Sequence, residues 1–423
     1  MSTAPAVAPW LDEYRTAAAN QFASAEAPSN TEEIWRYSRI NSIDLGKYNA
    51  DAAEASESLI DAMPIDGAAA MVVIRNGHVV SLDRTDALGK ATVSVISEHA
   101  DGEALLNSVR GAAHDAIAMM HDANIADVIV IDVPRGAHIT APVVIDVYSD
   151  ADGGLTCPHT IVRASNGSSI NVFERRRSGE ADQMVIPVVE LDAAPDARIG
   201  YLVAQQLGPN TNSFERHACN VEQQANVTSG VAAFGGAYAR TRADIKMAGR
   251  GANGDLLSAY FGDGNQMLDF RTFQEHAAPD TTSRLLFKGA VTGTAQSVYS
   301  GLITVSEDAP GTNAFQTNRN LKLSDGAWAY SVPNLEIEQN QVACSHASTV
   351  GEIDEDQRFY LESRGVPTTS AEQLLVSGFF AEVIALFPID AVKVELQEEI
   401  DASLAADRAA QDGELANAGG ATS

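Results

Sequence analysis

Cysteine is scarce. Cys157, Cys219 and Cys344 are the three in 423 residues, and an odd, sparse count supplies no disulfide framework and fits a reducing compartment. Basic residues are few as well: 28 Lys and Arg stand against 57 Asp and Glu, a net charge of −29. Such a chain lacks the clustered cations that neutralise phosphates, which argues against direct nucleic-acid binding. Anionic membrane surfaces are disfavoured for the same reason. The charge reads most simply as a source of solubility. No apolar stretch approaches the roughly 18 residues of a membrane span. The opening MSTAPAVAPWLDEY has no basic segment followed by an apolar run, so no secretory signal is expected and the expected location is cytoplasmic. Also missing is G-x-x-x-x-G-K-[ST], so ATP hydrolysis by this chain alone is not expected; G-x-S-x-G and H-E-x-x-H are missing too.

What is present changes class along the chain. Residues 1–125 look helical and mixed. Trp10, Leu11, Tyr14 and Ala18 recur at helical spacing over residues 8–25. Residues 33–40 (EIWRYSRI) place Trp35 and Tyr37 among charges, an aromatic anchor for packing this arm onto the body. Residues 72–81 (VVIRNGHVVS) read as a hairpin turning at Asn76-Gly77. A helix is expected over residues 103–122, with Leu105, Val109, Ala113, Ile117 and Met120 on one stripe. His114 and His121 ride on it, with no carboxylate or thiol placed to complete a metal site, so solvated or hydrogen-bonded histidines are expected.

From 126 to about 342, short β-rich runs alternate with Gly, Asn, Asp and Ser turns, and no helix of 10 to 12 residues interrupts them. A turn residue, a small residue and then an apolar one recur. The apolar members Ile139, Ile170, Ile199, Val227 and Leu256 lie 31, 29, 28 and 29 residues apart. Near-constant spacing of short strands marks a stacked β-helix, in which each rung buries its inward side chain only against its neighbours. A β-sandwich is the alternative. A solenoid exposes edge strands at its ends. The terminal helical regions could cap them, or an open edge could pair with a related chain.

Three motifs in this region are weak. Gly249 to Gly254 matches G-x-G-x-x-G, but a strand and turn follow where dinucleotide binding needs a helix. Glu174-Arg175-Arg176-Arg177 is expected to be a solvated strand end. Cys157 and His159 form a lone Cys-x-His, and a buried thiol is commoner than a two-ligand site.

The seam at Cys344 is more specific. Residues 334–338 (NLEIE) alternate like a strand, and residues 341–351 (QVACSHASTVG) are expected to turn out of the solenoid. Cys344 and His346 are i and i+2, so an extended backbone points both the same way. A thiol and an imidazole together suit iron or an iron–sulfur fragment, with a partner supplying the remaining ligands.

Residues 282–298 (TSRLLFKGAVTGTAQSV), 300–305 (SGLITV), 313–324 (NAFQTNRNLKLS), 344–365 (CSHASTVGEIDEDQRFYLESRG) and 378–388 (GFFAEVIALFP) resemble the SufB/SufD family of iron–sulfur cluster assembly scaffolds. The resemblance spans about 126 to 396. Residues 33–38 (EIWRYS), the modest length and the cysteine-poor body look more like its SufD branch. The chain departs from the usual pattern at Ala347-Ser348, in place of Gly-Ala, and at Gln339-Asn340-Gln341, in place of an acidic stretch.

The resemblance implies a mostly β chain: a right-handed parallel β-helix over residues 126–350, flanked by an N-terminal region (1–125) and a C-terminal helical domain (351–423). It implies a non-catalytic scaffold that pairs with a SufB-like paralogue and a SufC-like ABC ATPase. His346, with Cys344, would offer ligands to a transient cluster or iron shared with the SufB-like chain, none being tightly bound in isolation. A homodimer in isolation is left open.

The C-terminal helices read without the family. Residues 354–364 (DEDQRFYLESR) start on acids and stop at Gly365 and Pro367. Residues 370–386 carry two stripes, one with Leu375, Phe379, Val383 and Leu386, the other with Val376, Phe380, Ile384 and Phe387. The double stripe fits either a buried helix or a docking face. The family favours ATPase docking, through Leu375, Phe379, Phe380, Val383 and Ile384. A more polar helix is expected over 390–415, with 416–423 frayed. Two rival functions remain. One is a β-helix enzyme acting on polysaccharide through Asp263 and Asp269, which nothing pairs convincingly. The other is a purely structural β-helix.

Overall fold

The computed structural model describes residues 8–50 and 63–420, with side chains to 409. The parts of the N-terminal reading on residues 1–7 and 51–62, and the end of the expected frayed tail at 421–423, lie outside the described residues. The chain is mostly β, 43% strand against 23% helix, and builds a parallel β-solenoid of about 8 turns with helices at both ends.

The N-terminal elements are α1 (Pro9–Phe22), β1 (Ala70–Arg75), β2 (His78–Arg84), β3 (Thr92–Val95), α2 (Gly102–Leu105) and α3 (Ala116–Ala123). The early rungs use β4 (Val128–Val133), β5 (Val143–Ser149), β6 (Leu155–Thr156), β7 (His159–Ala164), β8 (Ser169–Ser178), β9 (Gln183–Val185), β10 (Val188–Ala193) and β11 (Arg198–Gln206). The later rungs use β12 (Thr211–Val221), β13 (Asn226–Ala233), β14 (Tyr238–Met247), β15 (Asn253–Gly262), β16 (Met267–His276), β17 (Thr282–Val291), β18 (Gln296–Val305), β19 (Thr312–Lys322), β20 (Trp328–Ile337) and β21 (Val342–Gly351). Three helices end the chain: α4 (Glu355–Ser363), α5 (Thr368–Ile384) and α6 (Lys393–Gly420).

Two sheets wind together. One runs β2-β1-β5-β8-β11-β13-β15-β17-β19-β21, the other β20-β18-β16-β14-β12-β10-β7-β4-β3. Among the described residues every rung-to-rung pairing is parallel, and only the β1/β2 and β3/β4 pairs at the N-terminal end are antiparallel. Val and Ile rows suit such strands because both faces are covered.

The sequence repeat has a backbone cause. Gly136, Gly167, Asp196, Gln224 and Gly251, the first residue of each repeat, all have positive φ (68°, 65°, 62°, 55° and 70°). From Gly167 to Gly251, that left-handed turn residue lies two residues before the strand that follows, and Gly136 stands likewise before the His138 bridge, so the repeat is a turn signal as much as a packing signal. It continues unseen at Asp280 and Gly311, φ 59° and 79°, because polar Ser283 follows where an apolar residue was expected. The inward column runs Ile170, Ile199, Val227, Gly254, Ser283, Ala314 and Cys344. Leu256 therefore belongs to the next column, and Gly254 takes its place: a Cβ at 254 would lie 2.6 Å from Ile245 Cδ1. This also accounts for the G-x-G-x-x-G match, which sits in the β14–β15 turn and opens a strand.

The hairpin at Asn76-Gly77 forms, with φ 50° and 87°. The single helix expected over 103–122 does not. Asn107 and Gly111 break it with φ 60° and 75°, and the Glu190 carboxylate captures the amides of Asn107, Val109 and Arg110 at 2.7–2.9 Å. The aromatic anchor holds at Trp35, buried with Phe214 and Tyr238 on the outer face of one sheet, while Tyr37 stays 45% exposed and stacks on Tyr330 of β20 at 4.6 Å. On the other sheet, α5 and α6 bury Val376, Phe380, Val383 and Leu396 against Phe173, Leu202, Leu257 and Phe261, each large side chain contributing about 1.5–3 kcal/mol.

Candidate functional site

The two ends of the solenoid differ. The N-terminal end is closed by antiparallel β2 and β3 and by α1 packed on α3. At the C-terminal end, β20 and β21 are the outermost strands of their sheets and most of their residues are exposed or half-buried. Residues 341–351 thus do not turn out of the solenoid; they form its last rung, paired in parallel with β19. Pro333 lies in β20, where an edge strand tolerates a missing donor.

Cys344 and His346 share the lumen-facing row of β21. Cys344 stacks on Ala314, and His346 ends the column Val172, Tyr201, Ser229, Leu256, Leu285, Gln316. Cys344 is half-buried against Ile303, Val305 and Ala314. Burial pushes its thiol up from the ordinary value, offset by a backbone hydrogen bond at Ala314. His346 is exposed.

The lumen becomes polar towards this mouth. Tyr260 donates to Asn320 at 2.6 Å, and Asn318 donates to Tyr260 at 3.2 Å. Gln274 donates to Ser283 at 2.8 Å, and His276 contacts Thr281 and Ser283 at 2.8 Å each. Gln316, directly under His346, keeps a buried Oε1 without a partner. Spacing alone missed Gln316; the strand register finds it.

Sulfur and imidazole nitrogen on one open row suit iron or the edge of an iron–sulfur cluster. Among the described residues no group of three or more His, Cys, Asp or Glu could hold a metal ion, so a full ligand set needs groups from elsewhere. A polar cavity of about 210 Å³ lies nearby, lined by Lys322, Glu352, Arg358, Glu372, Asp407 and Arg408 among others. Neither Cys344 nor His346 lines it.

The helical face is narrower than its two stripes promised. Phe380, Val383 and Ile384 are buried in the chain's own core, so a partner docking on the folded protein meets only Leu375 and Phe379 of the expected set. The larger exposed groups on the C-terminal helices are Phe359 (70%), Val394 (69%), Leu374 (57%) and Tyr360 (56%). The first of the three C-terminal helices is as expected: Asp354 caps α4 through the Gln357 amide at 3.0 Å, and Gly365 ends it with φ 87°; the last, α6, stays helical to Gly420, where fraying was expected from 416.

Other candidates resolve structurally. Arg175 and Arg176 are not a solvated strand end. Arg176 points into the lumen between Glu174 and Glu215, and Arg175 binds Glu395 of α6 at 2.8 Å. Cys157 is a buried thiol; His159 sits between His121, at 3.2 Å, and Glu190, at 3.0 Å. Asp269 is buried between Arg240 and Arg271, whereas Asp263 lies in a turn where burial, with nearby Asp407, raises its pKa. The structure gives these two aspartates different partners and no shared site.

Residues 147–379 match the family described as SUF system FeS cluster assembly, SufBD core domain. The chain is 34% identical over 303 residues to an iron-sulfur cluster assembly SufBD family protein of Mycobacterium tuberculosis, covering 70% of this chain and 75% of that one. It is 26% identical over 383 residues to the iron-sulfur cluster assembly protein SufD of Escherichia coli, covering 88% of each. Against SufD of Bacillus subtilis it is 25% identical over 272 residues, 64% of this chain and 62% of that one. On the solenoid, the matched core and these relatives, the chain belongs to the SufBD family of iron–sulfur cluster assembly proteins.

Proposed function

We propose that this chain is a non-catalytic scaffold subunit that completes a nascent iron–sulfur cluster site together with a SufB-like paralogue. The observation that carries this reading is the exposed last rung, where Cys344 and His346 occupy a lumen-facing row with no third ligand beside them among the described residues. Two open parallel edges, β20 and β21, offer backbone donors and acceptors to a partner solenoid. A paralogue docked there would cover the mouth and bring the missing ligands to the cysteine and histidine. The cluster is the cargo of this site, held between chains and passed on.

A SufC-like ABC ATPase would dock on the C-terminal helices, using the exposed Phe359, Tyr360 and Leu374 together with Leu375 and Phe379. Lys288 ties α5 to the solenoid through the Phe379 carbonyl at 2.7 Å, and Arg175 ties α6 through Glu395. Motion imposed on these helices would therefore be transmitted to the rungs.

The test is anaerobic reconstitution with the paralogue and ATPase from the same cell. Cluster formation and transfer to an apo-acceptor should fall at least about tenfold with His346→Ala, with the complex still assembled. Unchanged transfer by the assembled His346→Ala complex would overturn the ligand role. Failure of the wild-type chain to bind either partner would overturn the scaffold reading.

A further inference from the structure

The outer face of the β12–β14 sheet, far along the solenoid from the mouth, carries a cluster that cluster assembly does not use. Arg216 and Arg242 are register partners on β12 and β14, and Arg271 continues the row on β16. With Arg240 and Arg110, five guanidiniums here share three carboxylates. Asp244 serves both Arg216 and Arg242, Asp269 serves both Arg240 and Arg271, and Asp122 serves Arg110. A fourth carboxylate, Asp115, caps α3 through the Ala118 amide at 2.8 Å. Glu190, which accepts the Arg110 amide at 2.9 Å, is a fifth, so guanidiniums and carboxylates balance in number, an unusual concentration of arginine in a chain of net charge −29.

These groups surround a cavity of about 50 Å³ between the N-terminal arm and the sheet, lined by Arg110, Asp115, Arg216, Arg240 and Arg242 with an apolar wall that includes Trp35 and Phe214. Glu215 also reaches the wall, but its carboxylate is spent on Arg176 and His217. Two observations point independently to an anion. The Arg110 side chain is 0% exposed, and after its Nη2 binds Asp122 its Nε and Nη1 have no hydrogen-bond partner. Leaving buried charged donors unmet costs more than an ordinary lost hydrogen bond. The N-terminus of α3 also opens on the cavity through Asp115, Ile117 and Ala118. Asp115 takes the Ala118 amide, which leaves the Ile117 amide, without an intrahelical partner, at the positive end of the helix dipole on this wall.

We propose that this cavity binds a tetrahedral oxyanion of the phosphate class. Arg110 and the Ile117 amide meet it from the N-terminal region, and Arg216 and Arg242 from the sheet. The volume admits one small ion or a terminal phosphoryl group and excludes a nucleotide. Bound there, the anion joins the N-terminal region to the solenoid, because its donors come from both.

The test is titration of the full chain with inorganic phosphate at constant ionic strength, read by calorimetry and by tryptophan fluorescence, since Trp35 lines the cavity. Saturable one-to-one binding with Kd below about 1 mM is expected. Arg242→Gln, half-exposed and leaving Asp244 with Arg216, should weaken it about tenfold while the circular dichroism spectrum is unchanged. Arg110→Lys, which keeps a cation beside Asp122, should weaken it similarly. Ribose 5-phosphate binding as tightly as phosphate would identify the phosphoryl group of a larger molecule as the ligand; much weaker binding would identify the free ion. The proposal is overturned if no saturable signal appears by about 20 mM, if chloride or acetate gives the same response, or if both variants, folded, bind phosphate like the wild type.

Discussion

His276 is a pH sensor of fold stability. It closes β16 inside the lumen, its two ring nitrogens 2.8 Å from the hydroxyls of Thr281 and Ser283, with no carboxylate beside it. Burial alone lowers its pKa from 6.5 to about 4. A group whose folded pKa is depressed contributes stability above its unfolded pKa and loses it as pH falls, because the unfolded chain takes up the proton first. The window is therefore about pH 6.5 down to 4, and at 1.36 kcal/mol per unit the full loss is about 3 kcal/mol. His276→Gln removes the titration and sacrifices one hydrogen bond, a cost of about 1 kcal/mol at neutral pH. The variant should thus be less stable than the wild type at pH 7 and more stable near pH 4.5. Urea unfolding followed by circular dichroism at a series of pH values measures the crossing, and amide exchange of β16 and β17 locates it. A gap that stays constant between pH 7 and 4 would refute the reasoning.

Glu215→Gln breaks the lumen ion group in which Arg176 lies between Glu174 and Glu215 and His217 contacts Glu215 at 2.6 Å. Removing one charge from a buried set should cost about 3 kcal/mol or more, seen as a lower urea midpoint. Trp35→Ala removes a buried indole over which the Arg240 guanidinium stacks at 3.8 Å. A loss of about 3–5 kcal/mol is expected, together with faster proteolysis within residues 8–50. Of the three thiols, Cys157 and Cys219 are fully buried with their pKa values pushed up, so brief iodoacetamide treatment of the native chain should modify Cys344 alone, as peptide mass spectrometry would report.

Much of the fold was legible because its cause is local and periodic. The residues that begin each repeat are those forced to positive φ, so turn chemistry wrote the 27- to 31-residue spacing into the chain. The column was lost at Gly254 and Ser283, where close packing and a polar lumen replaced the apolar residue the pattern needs. The 103–122 helix failed because Glu190, some 80 positions later, binds its backbone, which periodicity cannot report. Arg176 misled for a similar reason: a basic run in an acidic chain looks solvated until Glu174 and Glu215 are seen around it. The pairing of Cys344 with His346 was visible from i, i+2 spacing. That they stand at an open mouth depended on which strand is last. The two stripes of α5 could not say which one the solenoid would bury.

The most direct test of the central proposal is hydrogen–deuterium exchange of the chain with and without the SufB-like paralogue from the same cell. Strong new protection confined to β20 and β21, with the solenoid's N-terminal end unchanged, is the predicted result. Binding that leaves the amides of residues 328–337 and 342–351 exchanging as in the free chain would contradict it.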